Sequence, residues 1–142
     1  MKTLLKSLFL LAMLAALAAC APAAPDEPLA CTLMGCVNTL RIEITNAPAM
    51  PYWVTVRADG QEFNIACEEG VETSGLAGEM DCETGIFTLF DFAPETASIE
   101  VGWAAGGLTI DAIPEYETFR PNGPGCEPEC RNGLVKVELP EQ

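Results

Sequence analysis

Apolar and polar side chains alternate along most of the chain from residue 31 onward, with the period of two that is typical of half-buried β-strands. Leu40, Ile42 and Ile44, for example, are each followed by a polar residue. No segment beyond the N-terminal twenty residues combines a period of 3.6 with a helix cap. The pattern predicts about seven strands, at residues 40–45, 52–57, 63–67, 85–92, 99–103, 108–112 and 134–139.

Turn signals separate these strands at short intervals. Asp59-Gly60 lies where a two-residue type I′ hairpin is expected, and Ala105-Gly106-Gly107 marks a second turn. In the last strand, Val135, Val137 and Leu139 are predicted to point inward. About seven short strands in one domain predict an all-β fold, an antiparallel two-sheet β-sandwich, with a small open barrel as the alternative. The sandwich resembles immunoglobulin and fibronectin type III domains in strand count and spacing only.

The first nineteen residues have the features of a secretory signal peptide. Lys2 and Lys6 precede the apolar run 8–17, and two alanines stand before Cys20. The apolar or small stretch 7–19 is shorter than the ~20 residues that a membrane-spanning helix needs. We therefore expect residues 1–19 to be removed on export.

Leu17-Ala18-Ala19-Cys20 resembles the lipobox of bacterial lipoproteins. The resemblance implies that the chain is cut before Cys20 and that this cysteine carries fatty acyl chains such as palmitate. Two or three acyl chains give stable anchoring. The expected partner of Cys20 is thus the lipid of the cell membrane or the outer membrane, with the protein facing the extracytoplasmic side of the cell envelope.

Residues 20–30 are predicted to form the anchor and a linker, and residues 31–142 the β-sandwich domain. Three prolines at positions 22, 25 and 28 make the linker extended and semi-stiff. The protein is acidic, with 7 basic against 21 acidic side chains and a formal charge of −14. This charge argues against nucleic acid as a partner, because a polyanion would be repelled.

The other six cysteines predict a disulfide framework, since an even number in an exported chain indicates paired cysteines. Cys67 and Cys82 flank one loop and are predicted to pair. The first and last strands can lie side by side, so we favour bridges between {Cys31, Cys36} and {Cys126, Cys130} over the local pairs 31–36 and 126–130. Four thiolates holding zinc are a weaker alternative, and no C-x-x-C redox motif occurs.

Two regions are candidate binding surfaces. The proline-rich loop 120–131 carries Arg120, Asn122 and Arg131, and a rigid loop at the end of a sandwich is a common recognition site. Its alternative role is that of a plain crossover. Trp53 falls on the polar side of its strand, where it is expected either to contact a sugar ring or a protein, or to be covered by a neighbouring loop.

An acidic loop, 68–83, offers Glu79, Asp81 and Glu83 as weak calcium ligands. The D-x-D-x-D-G spacing of an EF-hand is absent, and no metal or cofactor is predicted.

Catalytic signals are weak. The chain has no histidine, no G-x-S-x-G motif and no glycine-rich phosphate loop. We therefore expect a noncatalytic binding or structural module whose protein or glycan partner is not identified. A cation-binding module using the acidic loop is the alternative, and a hydrolase working through two carboxylates ranks last.

Overall fold

The computed structural model describes residues 30–69 and 78–141. The described residues form nine strands and no helix. The strands are β1 (Thr39–Thr45), β2 (Tyr52–Ala58), β3 (Gln61–Cys67), β4 (Gly78–Asp81), β5 (Ile86–Phe90), β6 (Ala97–Trp103), β7 (Gly106–Ala112), β8 (Glu115–Phe119) and β9 (Cys130–Glu138).

The strands form two sheets, which confirms the predicted β-sandwich. One sheet has the order β4-β5-β1-β9-β8 and the other β3-β2-β6-β7. Every neighbouring pair is antiparallel except β1 and β9, which run parallel in register from Thr39 opposite Asn132. The first two strands lie in different sheets here, whereas they share a sheet in an immunoglobulin constant-type domain. The likeness to that fold is therefore confined to the two-layer architecture.

The core lies between the sheets and is built by the alternating residues that the sequence indicates. From the five-stranded sheet, the inward side chains of β1, β5 and β9 are buried, and Val135, Val137 and Leu139 point inward as predicted. From the four-stranded sheet, β2 and β6 contribute most of the buried side chains, because they are the two central strands. The outward residues of both sheets are mostly polar.

One predicted turn is confirmed and one is shifted. Asp59 and Gly60 both have positive φ, 52° and 73°, as a type I′ turn requires, and Ala58 pairs with Gln61 on either side of them. The second turn was predicted at residues 105–107. Trp103 pairs with Gly106, so the turn is instead Ala104-Ala105 and the glycines begin β7.

The strands β4 and β8 were not predicted, and the count of about seven is corrected to nine among the residues that the structure describes. Both are edge strands. β4 has only four residues, and β8 reads Glu-Tyr-Glu-Thr-Phe with a single half-buried inward side chain at Tyr116. Edge strands of this kind have little apolar alternation because they bury little surface.

Three disulfides staple the domain, and the predicted framework is confirmed. They join Cys31 to Cys126, Cys36 to Cys130 and Cys67 to Cys82. Because β1 and β9 are parallel neighbours, the segments that precede them emerge at the same end of the sheet. The cross-bridges follow from that topology. All six thiols are used, so neither the local pairs nor a zinc site is formed.

Residues 1–29, including Lys2, Lys6 and the predicted anchor Cys20, lie outside the described residues, as do residues 70–77 of the acidic loop. Within the part of the chain that is described, no helix is long and apolar enough to cross a membrane.

Candidate functional site

Trp53 lies on the outer face of the four-stranded sheet and covers a glycine. It is the second residue of β2 and pairs with Gly102 of β6. A Cβ added to Gly102 would lie only 2.1 Å from Cε2 and Cζ2 of the indole, so no other residue fits beneath the ring. The side chain is nevertheless 46% exposed. The indole therefore rests on the sheet backbone with a large part of its surface open to solvent.

A hydrogen-bonded network fixes the polar side chains on the same face. Arg57 donates through Nε to Oε2 of Glu62 at 2.6 Å and through Nη1 to Oε2 of Glu100 at 2.9 Å. Asn64 donates to the other oxygen of Glu62 at 2.8 Å and accepts from the hydroxyl of Thr55 at 2.9 Å. The network connects β2, β3 and β6 across the sheet.

These contacts also set the ionisation of the face. Hydrogen bonds from Asn64 and then Arg57 lower the pKa of Glu62. Hydrogen bonds to Glu100 and then Glu62 raise the pKa of Arg57. The guanidinium of Arg57 and the carboxylate of Glu62 are thus held in their charged forms, and the strip beside Trp53 offers acceptors on either side of one cation.

The three candidate residues of loop 120–131 are engaged in internal contacts. Arg120 forms an ion pair with Glu129 through Nε at 2.8 Å. Arg131 donates to Glu95 at 2.9 Å, and its guanidinium lies 4.0 Å from the ring centroid of Tyr116. The Arg120 pair joins the two ends of the 120–129 loop, and Arg131 in β9 holds the loop that carries Glu95.

Asn122 has the most internal contacts of the three. Its Oδ1 accepts the backbone N–H of Met34 at 2.9 Å and also contacts the hydroxyl of Thr32. Its Nδ2 donates to the backbone carbonyls of Met34 at 2.9 Å and Glu127 at 2.6 Å. The amide thereby ties the 31–36 loop to the 120–131 loop. The arrangement points to a positioning role for Asn122.

The acidic candidates do not converge in the described residues. Glu79 lies in β4, Asp81 ends that strand and Glu83 follows it. Oδ1 of Asp81 accepts the N–H groups of Glu83 at 3.0 Å and Thr84 at 3.1 Å. Hydrogen bonds from the Thr84 side chain, and then from these backbone groups, lower the pKa of Asp81. Among residues 30–69 and 78–141, no group of three or more acidic or cysteine side chains is arranged to hold a metal ion.

A groove on the outer face of the five-stranded sheet was missed at the sequence level. It has a volume of about 750 Å³. Arg41, on the central strand β1, lines the groove and forms an ion pair with Glu43 at 2.8 Å. Glu79 lines one side and Glu115 and Glu117 the other. The groove depends on β8 lying beside β9, and the only signal for that strand was the alternation of glutamates around Tyr116.

These features define the class of the molecule as a disulfide-stapled β-sandwich with an exposed tryptophan on one sheet face. We call Trp53, together with Gly102 beneath its ring, the platform. No protein family matches the chain, and neither a curated protein nor a solved structure matches it.

Proposed function

We propose that this chain is a lipid-anchored protein of the bacterial cell envelope whose sandwich is a noncatalytic binding module. Two sets of observations support the proposal. The lipobox-like sequence at Cys20 and the three closed disulfides suit an exported, oxidising location. The platform made by Trp53 supplies a contact surface.

Trp53 carries the binding part of the proposal. Burying a half-exposed indole on a partner releases a large apolar area, and tryptophan is enriched at the energetic centres of interfaces. The ring lies against the backbone of Gly102, so its position is fixed before a partner arrives. A flat, fixed ring favours a flat partner, such as the C–H face of a sugar ring. Glu100 and Asn64 stand on the same sheet face as hydrogen-bonding groups.

The binding experiment uses the mature chain and a panel of tetrasaccharides of glucose and N-acetylglucosamine. We expect saturable binding, measured by isothermal titration calorimetry, that is lost in Trp53→Ala and largely kept in Trp53→Tyr. Trp103→Phe is the matched control, because Trp103 packs against the core. Loss of fold in Trp53→Ala is checked by its melting temperature.

Two results would contradict the proposed role of Trp53. The first is a double negative result: no sugar of the panel binds, and a photo-cross-linker placed beside Trp53 captures no partner in cells. The cross-linker is a benzophenone amino acid at Ala66, which is exposed and pairs with Trp53. The second is binding that survives Trp53→Ala unchanged. In either case Trp53 would serve only as a cover for Gly102.

The anchor has its own test. Cys20→Ala is expected to leave the chain uncleaved and without acyl groups, measured by metabolic labelling with a palmitate analogue. Normal labelling of this variant would rule out Cys20 as the acylation site.

A further inference from the structure

Exposed apolar side chains cluster at one end of the sandwich. Seven large apolar residues are exposed in the described part of the chain, and four belong to residues 30–38 and 119–130, which we call the tethered end. Leu33 is fully exposed, at 101%, and Met34 is 55% exposed. Val37 and Phe119 are the other two. All four belong to two segments that the disulfides join.

The chain's connections bring these four residues to the same end. Phe119 pairs with Cys130, which is bonded to Cys36, and Val37 follows that cysteine. Cys31 and Cys36 bracket the loop that carries Leu33 and Met34, and both are tied to the 126–130 segment.

Asn122 holds the same loop by its backbone. Two disulfides and the side chain of Asn122 therefore hold Leu33 in a solvent-exposed position. An unrestrained loop would be free to bury this side chain.

The same segment is free of charge. No charged residue occurs between Glu27 and Arg41, in a chain with a formal charge of −14. The neighbouring 119–130 loop carries two carboxylates: Glu129 is paired with Arg120, and Glu127 accepts the backbone N–H of Glu129. A tip whose 31–37 segment is apolar and carries no charge is suited to a lipid surface that carries little negative charge of its own.

The position of the predicted linker indicates which surface the tethered end can contact. The described chain begins at Ala30, within the tethered end, and the proline-containing linker 21–30 precedes it. An extended linker of this length reaches about 30 Å at ~3.1 Å per residue, so this end stays within that distance of an acylated Cys20. We propose that the tip formed by Leu33, Met34, Val37 and Phe119 docks on the surface of the bilayer that holds the anchor. This inference rests on the proposed lipid anchoring.

The test uses the mature, acylated chain in phosphatidylcholine vesicles that contain a phosphatidylcholine with a diazirine in its acyl chain. After irradiation, we expect lipid adducts on the peptide carrying Leu33 and Met34. The double variant Leu33→Ser/Met34→Ser should lower the adduct yield at least fivefold. The matched control is Met50→Ser, because Met50 is an exposed methionine that follows the opposite end of β1. That substitution should leave the yield unchanged.

The outcomes separate the two proposals. A chain that is acylated and vesicle-bound but gives no adducts at the tip overturns the docking and leaves the anchor intact. A chain whose N-terminal peptide carries no acyl mass overturns the anchoring, and the docking with it. A dimer in solution that dissociates in Leu33→Ser/Met34→Ser would also overturn the docking, because the tip would then be covered by a second copy of the chain. Replacing half of the lipid with phosphatidylglycerol should reduce the adducts if the bilayer is the occupant.

Discussion

The two ends of the sandwich are held by different means. At the tethered end, the bridges Cys31–Cys126 and Cys36–Cys130 span 95 and 94 residues and join the segments that precede the first and last strands. At the opposite end, Cys67–Cys82 spans 15 residues and links β3 of one sheet to the segment after β4 of the other. There, the hydroxyl of buried Tyr52 also donates to the carbonyl of Cys82 at 2.7 Å.

This difference bears on how much each disulfide contributes to the stability of the fold. A disulfide stabilises the fold mainly by limiting the unfolded chain, and the effect grows with the length of the loop that it closes. The first bridge at the tethered end closes almost the whole domain. The second bridge closes only the small ring formed by residues 31–36 and 126–130. Large sequence separation alone thus overstates what either bridge contributes when the other is present.

The largest expected effect comes from removing both bridges at the tethered end. Replacing Cys31, Cys36, Cys126 and Cys130 with Ala should lower the free energy of unfolding by about 8 kcal/mol, from about 4.7 for the long loop and about 3 for the small ring. Cys36→Ala/Cys130→Ala alone should cost only about 3 kcal/mol. The matching pair variant Cys31→Ala/Cys126→Ala should also cost about 3 kcal/mol, and urea denaturation of the wild type, the two pair variants and the fourfold variant measures the difference. If each bridge closes only the small ring while the other is present, the fourfold variant should lose more stability than the two pair variants together. A loss no larger than their sum would refute this explanation.

The single bridge at the opposite end sharpens the comparison. Cys67→Ala/Cys82→Ala should cost about 3 kcal/mol, because a loop of about 15 residues is closed by this bridge alone. The cost should therefore match that of Cys36→Ala/Cys130→Ala, although the sequence separations differ sixfold. The same urea series provides the measurement. A much larger cost for the longer bridge would show that the two tethered-end bridges act independently.

The sequence predicted this framework because pairing depends on which strands are neighbours at their starting ends. The alternation in 40–45 and 134–139 placed both strands in a buried sheet, and the cysteines lie just before them. The same alternation predicted that Trp53 lies on the polar side of its strand. Its contact with Gly102 was not, because the register between β2 and β6 is not visible in the pattern.

The features that the sequence did not predict depend on the edge strands of the sheet and on the conformation of the 120–131 loop. The groove around Arg41 needs β4 and β8, which bury too little surface to leave a periodic signal. Arg120, Asn122 and Arg131 were correctly placed in a stapled loop. Their polar groups face internal partners, which residue type alone does not indicate.

The opposite end should respond to alkaline pH. Burial, and then the charge of Asp81, raise the pKa of Tyr52 from 10.0 to about 12. The folded state thus holds the phenolic proton more tightly than the unfolded state does. The resulting stability is complete below pH 10 and is lost as the pH rises to about 12, to the extent of roughly 2–3 kcal/mol.

Melting temperatures between pH 8 and 12 test this expectation, with Tyr52→Phe as the comparison. Tyr52→Phe should be less stable at pH 8, because Cys82 loses its hydrogen bond, and its stability should fall less between pH 10 and 12. Tyr116→Phe is a useful control, since burial also raises the pKa of that half-buried tyrosine. Identical pH profiles for the wild type and Tyr52→Phe would exclude Tyr52 as the source of the alkaline loss.

The smallest effect on stability, but the most local one, is expected at Asn122. Asn122→Ala removes the contacts with Met34 and Glu127 and should lower the free energy of unfolding by about 1–2 kcal/mol, while both nearby bridges stay closed. Asn122→Asp keeps the acceptor for the Met34 N–H and loses the donor, so its cost should be intermediate. Hydrogen exchange at Met34 is the decisive readout. It should accelerate at least tenfold in Asn122→Ala, whereas amides in β2 should change little, because the clamp acts on the tip and the strands hold the rest. Unchanged exchange at Met34 would mean that the bridges alone fix the tip, and the two ends would then differ only in how their disulfides are nested.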